Sequence, residues 1–298
     1  MTFKLAHFSD LHLGPLPRGA VLRDFKLKRV IGAASWAFNR RQKHLGSVVE
    51  ALQKDIKAGN QDHVAFTGDG TNIASAVEFQ QLRKWMDGFG KPDWMSYTPG
   101  NHDAYVHIAW SKGLGLLDAY MSSDMKQDQP FPFVRLRRNI ALIGLNSAAP
   151  QRLHSAEGTL GETQLKQLAA RLEELRLKGF YRLVMIHHPP APGLAAKFRS
   201  LTDAPALKTL LCREKVELVI HGHNHVRSFH WVEEGGNRVP VVGVASASIT
   251  DKHPHPAEWN AYEISRNKGQ WQTVVKIRQW RGAAKGFEHA QSFEIEAA

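Results

Sequence analysis

Three histidines alternate along residues 219–225, whose sequence is Val-Ile-His-Gly-His-Asn-His. An apolar run at 216–220 leads into them, so a buried strand there would end where the histidines begin. Alternate residues of an extended chain point to the same side, and His223 and His225 could therefore reach one site together. Gly222 would let the backbone approach that site closely. Neutral imidazole is the commonest nitrogen ligand of metal ions in proteins, so the segment predicts a metal site.

Four other predicted strands also end in polar side chains that carry lone pairs. These strands lie at about 3–8, 63–67, 94–98 and 182–186 and are apolar and β-prone. Ligand sites of α/β sheets lie at the carboxyl ends of strands, and each gap between these segments can hold a crossover connection. Buried carboxylates and imidazoles without partners are costly, so their recurrence at five strand ends favours a shared ligand. The candidates are Asp10, His12, Asp69, Asn101, His102 and His187.

Together these segments resemble the motifs of the calcineurin-like metallophosphoesterase superfamily, in the family's order and over residues 5–226. The matching motifs are Asp10-x-His12, Gly68-Asp69, Gly100-Asn101-His102-Asp103, His187-x-Pro189 and Gly222-His223-x-His225. The resemblance implies an α/β fold in which two mixed β-sheets pack face to face, with helices on the outside. The sequence departs from the family at one position. Many cyclic-nucleotide and glycerophosphodiester enzymes of the superfamily carry Gly-Asp-x-x-Asp, whereas the last residue here is Asn72.

The resemblance also implies two divalent metal ions and their ligands. One ion would be held by Asp10, His12, Asp69 and His225. The other would be held by Asp69, Asn101, His187 and His223, so that Asp69 bridges the pair. Mixed nitrogen and oxygen ligands without a thiolate suit Mn, Fe, Co, Ni or Zn. His102 is expected to stabilise the transition state or to protonate the leaving-group oxygen. Asp103 is expected to orient the His102 ring or to favour its cationic form.

The implied activity is hydrolysis of a phosphate ester by a hydroxide bound at the dinuclear centre. By analogy with the family, the His-His-Pro-Pro sequence of residues 187–190 favours a phosphodiester or pyrophosphate substrate over a monoester. Three alternatives remain open at this point. A nuclease of the same superfamily would hold a nucleic acid strand with basic residues and tryptophans. A hydrolase of lipid-linked phosphoesters would act at a membrane surface, and a scaffold would keep the metals without catalysis.

Composition limits the partners and the compartment. The chain of 298 residues has a formal net charge of +11, which predicts an anionic partner such as nucleic acid, an anionic membrane surface or a phosphate-bearing substrate. The single cysteine, Cys212, excludes an intrachain disulfide and gives no sign of an oxidising compartment. Polar Ser9 and Asp10 follow the N-terminus too soon for a secretory signal, and no apolar run approaches the roughly 18 residues of a membrane span. We therefore expect a soluble cytoplasmic protein.

The chain shows no repeat or linker, so we predict a single domain over residues 1–298. Residues 18–44 form a basic amphipathic insertion. A solvated helix packed by its apolar stripe is favoured there over a lid or a membrane-surface element. Strands predicted at 228–233, 239–245, 259–264 and 271–280 would supply the second sheet, and the tail at 282–298 is expected to be loose.

Overall fold

A computed structural model describes residues 2–17, 19–21, 26–40 and 42–296. Its twelve strands form two six-stranded mixed sheets. The first sheet contains β1 (Phe3–Phe8), β2 (His63–Phe66), β3 (Met95–Tyr97), β10 (Glu258–Asn267), β11 (Gln270–Trp280) and β12 (Phe287–Ile295), in the order β12-β11-β10-β1-β2-β3. The second contains β4 (Phe133–Arg137), β5 (Ile140–Gly144), β6 (Tyr181–Met185), β7 (Leu218–His221), β8 (Ser228–Glu234) and β9 (Asn237–Gly243), in the order β4-β5-β6-β7-β9-β8.

Helices cover the outer face of each sheet. They are α2 (Gly46–Ala58), α3 (Ala76–Phe89), α4 (Asp118–Met121), α5 (Glu162–Leu177) and α6 (Ala204–Glu214). A further helix, α1 (Leu27–Ser35), continues as a π-helix (Trp36–Arg40). Short 3-10 turns lie at Trp110–Lys112, Leu114–Leu117 and Lys197–Arg199. The helix ends follow local chemistry. Ser75 and Glu78 form a reciprocal capping box at the start of α3, and Gly179 in the left-handed region (φ 74°) follows the end of α5.

Three apolar clusters separate the layers. Leu5, Leu183 and Ile220 belong to a cluster built only from strands of both sheets, which places it between the two sheets. A second cluster joins the outer face of the first sheet to α2 and α3, and a third joins the second sheet to α5 and α6. The period of two along β1 explains this, since Leu5 faces inward and Ala6 faces the helices. The predicted α/β fold of two mixed sheets flanked by helices is confirmed.

The C-terminal strands are divided between the sheets, which corrects the prediction that they supply the second sheet. β8 and β9 extend the second sheet, where β9 runs parallel to β7. β10 instead pairs antiparallel with β1 in the first sheet. The prediction of a loose tail at 282–298 is also wrong, because β12 pairs with β11. The pairing runs from Phe287 opposite Trp280 to Ile295 opposite Thr273. Apart from Phe287 and Ile295 at its ends, β12 is partly or fully exposed, so this edge strand lacks an apolar alternation.

Within the insertion predicted at 18–44, residues 27–40 are helical, but the orientation of α1 differs from the prediction. Residues 18, 22–25 and 41 lie outside the described residues. In α1 the buried side chain is Arg29, whereas Leu27 and Ile31 are exposed. The Arg29 guanidinium turns inward because it donates hydrogen bonds to the carbonyl groups of Ile73 and Ala74. Within the described residues, no helix is both long enough and apolar enough to cross a membrane.

Candidate metal centre

The predicted site residues meet where β1, β2, β3, β6 and β7 end. The turn after β1 is tied to the turn after β2, because Asp10 N donates to Gly68 O at 3.0 Å and His12 N donates to Asp69 O at 2.9 Å. Gly222 N donates to His187 O at 3.1 Å and links the turns after β7 and β6. These backbone hydrogen bonds hold the polar side chains of separate strands at one edge of the sandwich.

The turns themselves are not extended, which corrects the reasoning behind the histidine prediction. Asp10, His12, Asp69, His223 and His225 have φ of 53°, 44°, 55°, 70° and 58°, all in the left-handed region. Non-glycine residues rarely adopt this conformation, and where they do they cluster at functional sites. Asp10 and His12 still reach the same volume, but the side chains of His223 and His225 diverge. They enter two neighbouring groups of atoms.

The first group surrounds the ring nitrogen of His225. His225 Nε2 lies 3.1 Å from Asp10 Oδ1 and 3.3 Å from His12 Nε2. His12 Nε2 lies 3.8 Å from Asp69 Oδ2. Two imidazoles and two carboxylates therefore direct lone-pair atoms into one small volume.

The second group surrounds His187 Nε2. This nitrogen lies 3.1 Å from Asn101 Oδ1, 3.2 Å from His223 Nδ1 and 3.4 Å from Asp69 Oδ2. His223 Nδ1 lies 2.9 Å from Asn101 Oδ1. Asp69 Oδ2 is thus the atom common to both groups. All seven residues predicted as metal ligands lie in these two groups.

The donor atoms fit divalent metal ions. Ligand atoms about 2.0–2.2 Å from an ion lie roughly 3 Å from one another, which matches the spacing of these atoms. His187 Nδ1 lies 2.7 Å from Thr67 O, and a carbonyl only accepts, so this nitrogen carries the proton and Nε2 offers its lone pair in the neutral ring. Asp10, Asp69 and His187 are fully or almost fully buried. One ligand atom from each of these three residues lies within 4.8 Å of the others. Two buried carboxylates at this separation require compensating positive charge.

The pKa values of His187 and Asp69 also show that the buried carboxylates need positive charge beside them. Burial alone would lower the pKa of His187, but the carboxylates of Asp69 and Asp10 outweigh it and raise this pKa to about 9. Burial alone would raise the pKa of Asp69, yet the neighbouring imidazoles, His187 foremost, hold it well below its usual value. The site therefore favours ionised carboxylates and a positive charge between them.

His102 lies beside the two groups with its ring held from both sides. Its backbone N donates to Asp69 Oδ1 at 2.7 Å, and its Nδ1 donates to the carbonyl of Asn72 at 2.7 Å. The ring stacks on Tyr105, with centroids 5.6 Å apart and planes within 7°. The Asn72 carbonyl, rather than Asp103, fixes the orientation of the ring.

Asp103 has partners that differ from the prediction. Its carboxylate accepts hydrogen bonds from the backbone N of Asp69, Thr71 and Gly100 at 2.8, 2.9 and 2.8 Å. It also accepts one from Tyr97 Oη at 2.5 Å. Burial and the charge of Asp69 raise the pKa of Asp103 to about 6, so the carboxylate is ionised above that pH. Asp103 therefore braces the turns after β2 and β3 instead of orienting His102.

Among the adjacent histidines, His187 directs Nε2 into the second group, whereas the His188 ring packs 4.5 Å from the His223 ring and directs its nitrogens elsewhere. His188 is buried, with Nδ1 2.7 Å from Ser147 Oγ and Nε2 3.1 Å from Ala156 O. Burial and the neighbouring His187 lower the pKa of His188 to about 3, which keeps this ring neutral. His188 is thus a structural support beneath the site.

Sequence reasoning missed His44 and Arg199. The His44 ring lies 4.8 Å from the His12 ring and 6.0 Å from the His225 ring, and its Nδ1 is 2.6 Å from Ser248 Oγ. Arg199 donates to the carbonyl of His223 at 2.8 Å. Both residues line a cleft of about 420 Å³ over the site, together with Lys43, His102 and His253. Neither residue follows a strand of the site, so position in the sequence gave no signal for them.

Comparison with known proteins identifies the family. The family model of the calcineurin-like phosphoesterases matches residues 3–227, and the chain belongs to this family. It is a phosphoric ester hydrolase that uses divalent metal ions. A probable cyclic nucleotide phosphodiesterase of Synechococcus sp. is 24% identical over 279 residues, which are 92% of each chain.

Two solved structures share the fold. A dimetal phosphatase from Danio rerio superposes with a TM-score of 0.67 at 15% identity, and the match covers 99% of both chains. A purple acid phosphatase from yellow lupin (Lupinus luteus) seeds gives a TM-score of 0.62 at 12% identity, over 99% of this chain and 54% of that one. At these identities the likeness establishes the architecture alone.

Proposed function

We propose that this chain hydrolyses phosphodiester bonds at a centre of two divalent metal ions. The position of Asp69 carries the proposal, because its Oδ2 lies 3.8 Å from His12 Nε2 and 3.4 Å from His187 Nε2. One carboxylate oxygen can therefore serve both groups and offset the charge between two cations. The proposed ligands are Asp10, His12, Asp69 and His225 for one ion, and Asp69, Asn101, His187 and His223 for the other.

The cleft over the centre would bind and orient the ester. When bound, the two ions would polarise the phosphoryl oxygens and lower the pKa of a coordinated water. Arg199 and Lys43 line the cleft and supply fixed positive charge for the phosphoryl oxygens. His44, held at Nδ1 by the Ser248 hydroxyl, would present its other ring nitrogen to the same oxygens.

His102 is proposed as the catalytic acid. Because its Nδ1 donates to the Asn72 carbonyl, Nε2 is the nitrogen that would exchange a proton with the substrate. In its cationic form the ring would donate that proton to the leaving-group oxygen while the phosphorus–oxygen bond breaks. Stacking on Tyr105 would keep the ring in line with the ester.

The preference for a diester rests on the relative from Synechococcus sp., which is named a probable cyclic nucleotide phosphodiesterase. The Asn72 position gives a physical reason why the substrate can differ from that of the Gly-Asp-x-x-Asp enzymes. Asn72 is buried, with its side-chain Nδ2 donating to Leu13 O at 3.1 Å and its backbone carbonyl accepting from His102 Nδ1. Its side chain would therefore support the turn rather than contact substrate.

The test measures metal content and turnover on the same protein. Protein stripped of metal and reloaded with Mn would be assayed for bound metal by mass spectrometry under native conditions and for hydrolysis of bis(p-nitrophenyl) phosphate and its monoester. We expect two ions for each chain and faster cleavage of the diester. Asp69→Ala should lose both ions and activity. His102→Ala should keep both ions and lose roughly 10²–10⁴-fold in kcat.

A remote histidine provides the control. His289 is exposed on β12, and His289→Ala should retain both the metal content and the turnover of the unmodified chain. Two results would refute the proposal. One is a single ion for each chain that Asp69→Ala leaves in place, and the other is a folded, metal-loaded protein that turns over neither ester.

A further inference from the structure

The outer side of α1 and the following π-helix is apolar. Leu27, Ile31 and Phe38 are exposed to 68%, 39% and 83% of their surface. Leu27 and Ile31 are four residues apart, a spacing that places their side chains on one side of α1, and Phe38 lies in the π-helix that continues it. Neighbouring large apolar side chains on a protein surface indicate a binding surface for an apolar partner, because moving each side chain out of water lowers the free energy.

The basic residues of α1 point inward, so this helix is inverted relative to an ordinary surface helix. Arg29 is buried against the carbonyl groups of Ile73 and Ala74. Lys28 donates to Gln151 O at 2.8 Å, and its ammonium lies 4.5 Å from the centroid of the Tyr105 ring. The bases thus bind α1 to the body of the protein beside the active site, and its apolar side is presented outward.

This apolar side borders the active-site entrance. A groove of about 440 Å³ is lined by Ile31 and Ser35 of α1 and by His102, Leu153 and Arg199. Leu153 and Phe198 are themselves exposed, to 44% and 62%. We call Leu27, Ile31, Phe38, Leu153 and Phe198 the apolar rim. Two of these residues, Ile31 and Leu153, line the groove that contains His102, the proposed catalytic acid.

The segments around this entrance are basic. Among the described residues of the segments at 42–44, 149–156 and 197–199, the exposed side chains of Lys43, Arg152, Lys197 and Arg199 are basic, and none of these segments contains an acid. An anionic bilayer surface suits this combination, because apolar side chains enter the boundary of head groups and acyl chains while bases approach lipid phosphates. A nucleic acid would engage the bases but would leave the aliphatic side chains of the rim in water.

We propose that the apolar rim docks on an anionic membrane and that the substrate is a phosphodiester carried by a lipid. This substrate class rests on the proposed function. The head group would enter the groove between Ile31 and Leu153 and reach the metal centre. There the oxygen of water bonds to phosphorus while the bond to the leaving oxygen breaks, and that oxygen takes a proton from His102. The products are a phosphate monoester and an alcohol.

Vesicle co-sedimentation tests the docking with the full metal-loaded chain. The probes are vesicles of phosphatidylcholine with or without phosphatidylglycerol, which is itself an anionic phosphodiester. We expect binding to the anionic vesicles only. The double variant Leu27→Ser/Phe38→Ser should weaken binding by about tenfold for each side chain, given the transfer energy of such groups. Leu177→Ser is the matched control, because Leu177 is 73% exposed on α5 and should not affect binding.

Hydrolysis assays separate this proposal from the general function. The double variant should cleave soluble bis(p-nitrophenyl) phosphate like the unmodified chain but lose turnover of the vesicle-borne diester in proportion to lost binding. Active enzyme that ignores anionic vesicles would overturn the docking and leave the phosphodiesterase proposal standing. Binding that the double variant retains, or salt-sensitive binding of single-stranded DNA in place of vesicles, would also overturn it. Vesicle binding without turnover of either ester would support the docking and refute the substrate.

Discussion

Replacing Asp103 with alanine distinguishes a structural brace from an orienting partner of the catalytic histidine. Asp103 lies next to His102 in the sequence, yet its buried carboxylate accepts hydrogen bonds from three backbone N–H groups and from Tyr97 Oη. Asp103→Ala would leave these donors facing a small cavity. The two turns that the carboxylate joins carry Asp69 and Asn101, so the loss should reach the proposed metal ligands.

The magnitude follows from the number of donors. A buried donor without a partner costs about 1–3 kcal/mol, and three backbone N–H groups together would cost about 3–9 kcal/mol. Water entering the cavity would satisfy some of them, so we expect the lower end, about 3–5 kcal/mol. Stability of this order is a large fraction of the total for a folded chain, which is typically about 5–15 kcal/mol.

Urea unfolding of the metal-free protein at pH 8 measures this cost with the carboxylate ionised. Asp128→Ala, at an exposed aspartate, should stay within about 0.5 kcal/mol of the unmodified chain. Tyr97→Phe removes the hydrogen bond from Tyr97 Oη to the Asp103 carboxylate and should lower the free energy of unfolding by about 1–3 kcal/mol. An Asp103→Ala protein that unfolds within about 1 kcal/mol of the unmodified chain, while kcat falls, would refute the bracing role and restore the orienting role.

Three further changes have defined outcomes. A Cβ at Gly222 would lie 1.9 Å from Ser9 Oγ, so Gly222→Ala should displace the turn after β7 and reduce bound metal measured by mass spectrometry. Burial holds the pKa of His63 well below 6.5, so the unfolded chain takes up a proton below that pH and stability falls as pH falls. His63→Gln should reduce this dependence by up to about 1.4 kcal/mol per pH unit in urea titrations. His44→Gln should keep the metals and lower kcat/KM for the diester by about 10–100-fold, as expected for one hydrogen bond to an anionic transition state.

Two of these changes have a control in the chain. Gly46 has space around its Cα at the start of α2, and Gly46→Ala should leave metal binding unchanged. His230 is exposed on β8, and His230→Gln should leave the pH dependence of stability intact. A Gly222→Ala chain with full metal content, an unchanged pH slope for His63→Gln, or loss of metal from His44→Gln would contradict the corresponding argument.

The predicted ligands could be found from sequence because each motif is local. A strand followed by His, Asp or Asn is visible within a few residues, and five such ends imply a common site. The role of Asp103 depends on backbone donors from two other turns, and no pattern within its own segment encodes them. His44 is recognised only through Ser248 and His12, which are distant in the chain. Amphipathicity likewise shows that α1 has two faces, but the carbonyl groups of Ile73 and Ala74 determine which one is buried.

The left-handed turns at His223 and His225 explain how one short motif can reach both of the proposed ions. In an extended chain His223 and His225 would point the same way and compete for a single ion. With φ of 70° and 58° their rings diverge, so that His223 Nδ1 lies beside Asn101 and His225 Nε2 beside Asp10. Each such residue costs roughly 1–3 kcal/mol of backbone strain. The backbone hydrogen bonds between turns and the Asp103 brace offset that strain, which is why the support of the site lies outside the ligand motifs.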